Sequence, residues 1–312
     1  MFGPAGATVP DMELLHLEQS LEIVGDDPVV VVALDGWTDA GEGGTLAADA
    51  LCEATDPVTL GWFPSDALYD YRDRRPPLSI DSGELGTPDW PEISVELLRP
   101  ASGPPLVLIG GQEPDFRWRT IVQDVLELAR LIGARRYVGL GSVPGPIPHT
   151  RPVHVMCTSN EPTLLDRIGR PHEDVVVPAS CQVVIEAELA HEGFSTLGLW
   201  VRIPHYVAGE YPEAARALLE QLTSHLGTPV DLSTFTEEID DNRSRLDVAA
   251  QGSDEVREHV EQLERMYDAE TEAERIASAA DDPFGSAITE EQVPTADDLG
   301  AEIERFLQGR PD

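Results

Sequence analysis

Along residues 12–235 short apolar runs alternate with amphipathic stretches, the pattern of a sheet covered by helices. Residues 29–34 are apolar throughout and predict a strand buried on both faces. A helix follows to about Ala54, with Thr38 as its cap. Residues 58–63 predict a second strand, 93–98 alternate as a half-buried one, and 106–109 form a short strand ending in Gly110-Gly111. The clearest helical period lies at 116–132, where Trp118, Ile121, Val122, Val125, Leu126, Ala129 and Ile132 make one stripe. Strands at 136–140 and 153–157 bracket a Gly/Pro-rich loop at 141–148. A helix at 180–192, a strand at 196–201 and a helix at 212–226, opened by Pro212, complete an α/β domain.

Past Pro229 the character changes. Residues 236–312 hold 23 acids against 7 arginines, roughly doubling the density of negative charge. Val256, Val260, Leu263 and Tyr267 stand at heptad-like spacing, and Leu299, Ile303, Phe306 and Leu307 mark a last short helix. Two heptads do not sustain a free coiled coil, so these helices need the core or a partner. The organisation expected is a disordered segment at 1–11, an α/β core at 12–235 and an acidic helical extension at 236–312, with a mobile linker at 277–295.

The net charge of −37 repels phosphates and anionic lipid, which argues against nucleic acid and membrane as partners. The longest apolar run falls far short of the roughly 20 residues a membrane-crossing helix requires. The first residues lack the basic and apolar regions of a secretion signal, so the expected location is the cytoplasm. Three cysteines, Cys52, Cys157 and Cys181, without close spacing, argue against a disulfide framework and against a zinc site. All 21 basic residues are arginine. With no lysine, phosphate-loop, kinase-type and Schiff-base chemistries lose the amine they depend on, and no cofactor is expected.

Ligands of open α/β sheets bind beyond the carboxyl ends of the strands. Four loops there are rich in Gly, Pro and polar residues: 35–41, 110–115 with Arg117 and Arg119 beyond, 141–151, and 203–206. They carry the candidate cleft residues Asp35, Asp39, Glu113, Arg117, His149, Arg151 and His205. Histidine beside carboxylate can perform general acid/base work and arginine can hold an anion. The same residues can equally hold helix starts and tie loops together. Gly41-Glu42-Gly43-Gly44 lacks the dinucleotide fingerprint, no nucleophile elbow is present, and His149 with His154 makes a poor metal pair, so no catalytic or metal-binding residue is assigned.

The series Leu34-Asp35-Gly36-Trp37-Thr38-Asp39-Ala40-Gly41 resembles a motif of the proteasome assembly chaperone 2-like family. So do Tyr69-Asp70-Tyr71-Arg72 with Arg75-Pro76, Gly111-Gln112-Glu113-Pro114-Asp115-Phe116-Arg117-Trp118, Pro148-His149-Thr150-Arg151-Pro152 and Pro204-His205-Tyr206. The tail motifs Leu263-Glu264-Arg265-Met266-Tyr267-Asp268 and Glu302-Ile303-Glu304-Arg305-Phe306-Leu307 resemble the actinobacterial branch. One stretch departs: Asp174-Val175-Val176-Val177-Pro178-Ala179-Ser180 stands where relatives often carry Tyr-x-Gly-Pro-Thr-Gly. The resemblance implies three layers, a mixed twisted sheet flanked by helices as in nucleoside phosphorylases and hydrolases. It also implies self-association, with a trimer favoured, and a role in binding or assembling proteasome-related or other protein subunits. The ligase activity attributed to some relatives fits badly with a chain lacking lysine. The ending Gly309-Arg310-Pro311-Asp312 lacks the hydrophobic-Tyr-x signature of many proteasome binders. An alternative stays open, a small-molecule hydrolase or nucleoside-phosphorylase-like enzyme using the strand-end cleft.

Overall fold

The computed structural model describes residues 12–171 and 176–281. The elements run β1 (His16–Leu17), β2 (Val29–Asp35), α1 (Gly43–Glu53), β3 (Val58–Phe63), α2 (Ser65–Leu68), β4 (Ile80–Asp81), β5 (Glu84–Leu85), β6 (Ile93–Leu98) and β7 (Leu106–Gln112). They continue with α3 (Trp118–Leu131), β8 (Arg136–Gly145), β9 (Val155–Ser159), α4 (Pro162–Ile168), α5 (Cys181–His191), β10 (Ser195–Pro204), α6 (Pro212–Leu226), α7 (Phe235–Gln251) and α8 (Asp254–Asp281). Eight strands form one mixed sheet in the order β1-β3-β6-β7-β2-β8-β10-β9. The four central strands, β7, β2, β8 and β10, are parallel, and every pairing outside them is antiparallel.

Strand β2 shows why the sheet needs two helical layers. Its side chains alternate between faces. Val30, Val32 and Leu34 join Ile121 and Val125 of α3 and Ile185 of α5. Val29, Val31 and Ala33 join Ala47 and Leu51 of α1 and Leu218 of α6. The expected three-layer α/β architecture is what the chain adopts. The stripe on α3 is buried as its period predicts, and Asp124 among it accepts the backbone N–H groups of Glu13, Leu14 and Leu15, fastening the leading segment to the helix.

Three local expectations are corrected. Strand β8 does not stop at Leu140 but runs to Gly145, paired with β10 over its whole length. Gly141 belongs to that strand because Trp200 lies against it: a Cβ there would stand 2.4 Å from the indole ring. The next strand is β9, two residues later than its hydrophobicity suggests, where it closes the sheet edge antiparallel to β10. Thr38 is not the cap of the first helix. Asp39 accepts from the N–H groups of Gly44 (2.6 Å) and Thr45 (3.2 Å), while Thr38 Oγ1 reaches Ser180 Oγ at 3.1 Å.

The chain divides into two compact units, one ending at Leu263 and one beginning at Glu264. The charge density changes at 236, but α7 lies within the first unit, where Phe235 and Ile239 join the core beside α6. Of the heptad-spaced residues, Val260, Leu263 and Tyr267 are buried and Val256 is exposed. Helix α8 runs to Asp281, so the start of the expected linker is helical. Residues 1–11 and the helix expected near 299–307 lie outside the described residues. No helix among those described is long and apolar enough to cross a membrane.

Candidate functional site

The candidate residues fall into two clusters beyond the strand ends. The first is built on the loop after β2. Its backbone turns at Gly36 directly over Glu113, so closely that a Cβ at Gly36 would stand 2.6 Å from the carboxylate. Glu113 Oε2 accepts the N–H of Trp37 (3.1 Å), and Oε1 accepts the N–H of Cys181 (2.7 Å) at the start of α5. One carboxylate therefore joins the β2 loop, the β7 loop and a helix amino terminus, where its charge is favoured.

Asp39 is buried at the start of α1, with its carboxylate engaged by Gly44, Thr45 and Ser142. Burial pushes its pKa up, opposed by the hydrogen bonds from Thr45 and Gly44. Asp35, half-buried, contributes its carbonyl to the N–H of Glu113 at 2.8 Å. The carboxylates of Asp39 and Glu113 thus each hold backbone around them, and Asp35 takes part through its carbonyl oxygen.

The second cluster lies where the loops after β8 and β10 meet α7 and α8. His149 is 2% exposed. Its backbone N–H donates to Tyr206 Oη (2.9 Å), its Nδ1 lies 2.7 Å from the same oxygen, and its Nε2 lies 3.2 Å from Asp247. The consistent assignment has the phenol donating to Nδ1 and Nε2–H donating to Asp247. His205 Nδ1–H donates to Gly145 O at 3.2 Å, leaving its Nε2 facing His259 Nε2 at 3.4 Å. The His149 and His205 rings both meet Tyr206 edge-on, at 5.8 and 5.5 Å.

A Tyr–His–Asp chain of this kind is able to move a proton. The cleft that the imidazole itself lines is small. The cleft lined by His149, Tyr211, Asn242 and Arg243 offers about 10 Å³, on the order of one water molecule.

Arg117 lies apart from both clusters. It takes a left-handed conformation (φ 65°) before α3, pairs with Glu13, and directs Nε to Thr120 Oγ1 at 3.3 Å. Arg151 directs Nη1 to Thr150 Oγ1 at 3.5 Å. Thus His149 and His205 come together around Tyr206, and Asp35, Asp39 and Glu113 gather at the β2 loop. Sequence reasoning passed over Asp247 and His259, which resemble any polar residue on an acidic helix until that helix packs. Tyr206 carried a signal, the Pro-His-Tyr tripeptide itself.

Among the described residues no group of three or more His, Cys, Asp or Glu is arranged to hold a metal. Burial pushes all three thiols up, Cys52 to about 11 and Cys181 to about 12, which disfavours the thiolate.

Two aromatic side chains stand exposed on the loops after β2 and β7. Trp37 is 62% exposed beside Glu113, and Phe116, on the loop after β7, is 50% exposed.

The PAC2 family model matches residues 33–250. Comparison with curated proteins finds no match. Among solved structures, a Mycobacterium tuberculosis protein of unknown function is 36% identical, with a TM-score of 0.79 over 83% of this chain and 92% of that one. A Corynebacterium glutamicum protein of unknown function is 29% identical, with a TM-score of 0.78 over 83% and 98%. A third, a Mycobacterium tuberculosis proteasome-assembly chaperone homologue, is 27% identical, with a TM-score of 0.68 over 74% and 99%.

Proposed function

We propose, since this chain belongs to the PAC2 family, that it works by binding protein subunits and aiding their assembly, without catalysis of its own. The observation that carries this is the exposure of Trp37 and Phe116 on loops fastened by hydrogen bonds, the first through Glu113 and the second through the Leu68 carbonyl. Rigid, solvent-facing aromatic side chains are the usual anchors of protein interfaces. Exposed apolar groups on such a frame favour docking over turnover. The Tyr206–His149–Asp247 chain, with space for about one water beside it, supports a loop-fastening role better than a hydrolase or phosphorylase site.

The subunits proposed are proteasome-related, following the relative described as a proteasome-assembly chaperone homologue. Self-association, as a trimer, and a cytoplasmic location belong to the same proposal.

Affinity capture from the native host tests it, comparing the wild type with Trp37→Ala/Phe116→Ala. The wild type is expected to retain proteasome subunits, and the double variant to lose them while melting at the same temperature. Equal capture by both proteins, or no proteasome subunit with either, would overturn the proposal.

A further inference from the structure

His205, just past the end of β10, and His259, in the second turn of α8, are both exposed, and their Nε2 atoms stand 3.4 Å apart. Fixed parts of the fold hold them there. The Gly145 carbonyl accepts both the backbone N–H of His205 (3.1 Å) and its Nδ1–H (3.2 Å). That second bond sets the tautomer, so His205 Nε2 carries a lone pair. His259 is presented by a helix whose next residue, Val260, is buried, as is Leu263 one turn on. The Tyr206 ring meets both imidazoles edge-on, at 5.5 and 6.5 Å between centroids, and is itself held by His149.

With the two rings alone, His259 Nε2–H donates to His205 Nε2, a long hydrogen bond at 3.4 Å. The same spacing suits a second use. Two nitrogens bound to one tetrahedral ion at about 2.0–2.1 Å stand roughly 3.3–3.4 Å from each other. A backbone carbonyl on the far ring nitrogen, as His205 has, is the support that orients metal-binding histidines. Imidazole donors select ions such as zinc, whereas magnesium and calcium take oxygen ligands. The surrounding charge favours a cation as well. Around His259 the chain carries Asp254, Glu255, Glu258 and Glu261 against Arg257, and Arg257 already pairs with Asp254.

We propose that His205 and His259 form a two-histidine site for a divalent cation of the zinc class, which clamps the start of α8 to the end of β10. On binding, His259 carries its proton on Nδ1, so both Nε2 lone pairs serve the ion and no proton is lost overall. Among the described residues no third His, Cys, Asp or Glu joins the pair, so water completes the coordination. The ion is a structural brace, and no reaction is assigned to it.

Calorimetric titration of the full chain, stripped with chelator and then given zinc chloride, tests the site. The wild type is expected to take up one equivalent with a micromolar dissociation constant and to melt higher with zinc than without. His205→Gln and His259→Gln should each weaken uptake at least tenfold, while His191→Gln, at the exposed end of α5, should leave it unchanged. A gain of signal guards against loss of folding in a variant. His259→Cys loaded with cobalt(II) should show thiolate-to-cobalt charge-transfer absorption, which the wild type lacks. No zinc uptake by the wild type would overturn the proposal. So would equal uptake by His205→Gln/His259→Gln, which would mean that the acidic surface alone collects the ion. A cobalt-loaded His259→Cys chain without thiolate absorption would overturn it too.

Discussion

His149 ties three parts of the chain together, holding Tyr206 at the end of β10 and Asp247 on α7 from the loop after β8. His149→Ala strips the Tyr206 hydroxyl and Asp247 of their imidazole partner. The loss of such a buried hydrogen-bonding group is on the order of 1–3 kcal/mol. The variant should melt several degrees lower by calorimetry, and an unchanged melting temperature would count against the fastening role. Gly141→Ala should also destabilise, since its methyl group would enter the Trp200 ring. A chemical denaturation midpoint equal to wild type would contradict that packing. These two residues mark what single positions disclose. His149 stood out because Pro-His-Thr follows a strand, although its partners could not be named. Gly141 misled, because glycine made necessary by a tryptophan 59 residues away is indistinguishable locally from glycine made necessary by a turn.

Helix α5 was legible in outline: Ser180 caps it, and the helix ends within a residue of expectation. Its buried acid was not legible, since nothing in the spacing distinguishes Glu186 from a solvent-facing glutamate. Glu186 points under the sheet, where Thr158 Oγ1 donates to Oε1 at 2.7 Å and Oε2 lies over Gly198 without a good hydrogen bond. Burial pushes its pKa up to about 7, against the hydrogen bond from Thr158, which pulls it down. A carboxyl raised in the folded state keeps its proton longer than in the unfolded chain. Its contribution is therefore fully present below the unfolded value, about 4.5, and is lost as pH rises through about 7. The loss amounts to roughly 3 kcal/mol above that range. Glu186→Gln should accordingly raise the melting temperature at pH 8 much more than at pH 5. An equal effect at both pH values would place the carboxyl's titration elsewhere. At this scale, the buried strand β2 and the amphipathic α3 were the most legible elements, because each follows a single period. The extension of β8 was not, because only its ten-residue register with β10 establishes it.

For the molecule as a whole, a charge of −37 acts against compactness. Raising ionic strength from about 0.01 M to 0.1 M shortens the screening length from roughly 30 to 10 Å. The melting temperature should rise over that interval, and a flat profile would mean that local pairing already offsets the repulsion. The absence of lysine bears on ligands. Calorimetry with Mg-ATP should give no binding in the micromolar range, and a micromolar isotherm would restore a nucleotide-dependent role. The layer architecture was legible from alternation alone, whereas the hairpin β4–β5 was not, because its residues carry turn signals without a period. The strand order has a consequence for synthesis. Strand β2 occupies the middle of the sheet, yet both of its neighbours, β7 and β8, are encoded far downstream. At about 5–20 residues per second, roughly 4–15 s pass between translation of β2 and translation of β7. During that interval the nascent chain carries six consecutive apolar residues with no ladder to enter, so its yield in the cell depends on what shelters it at the ribosome exit.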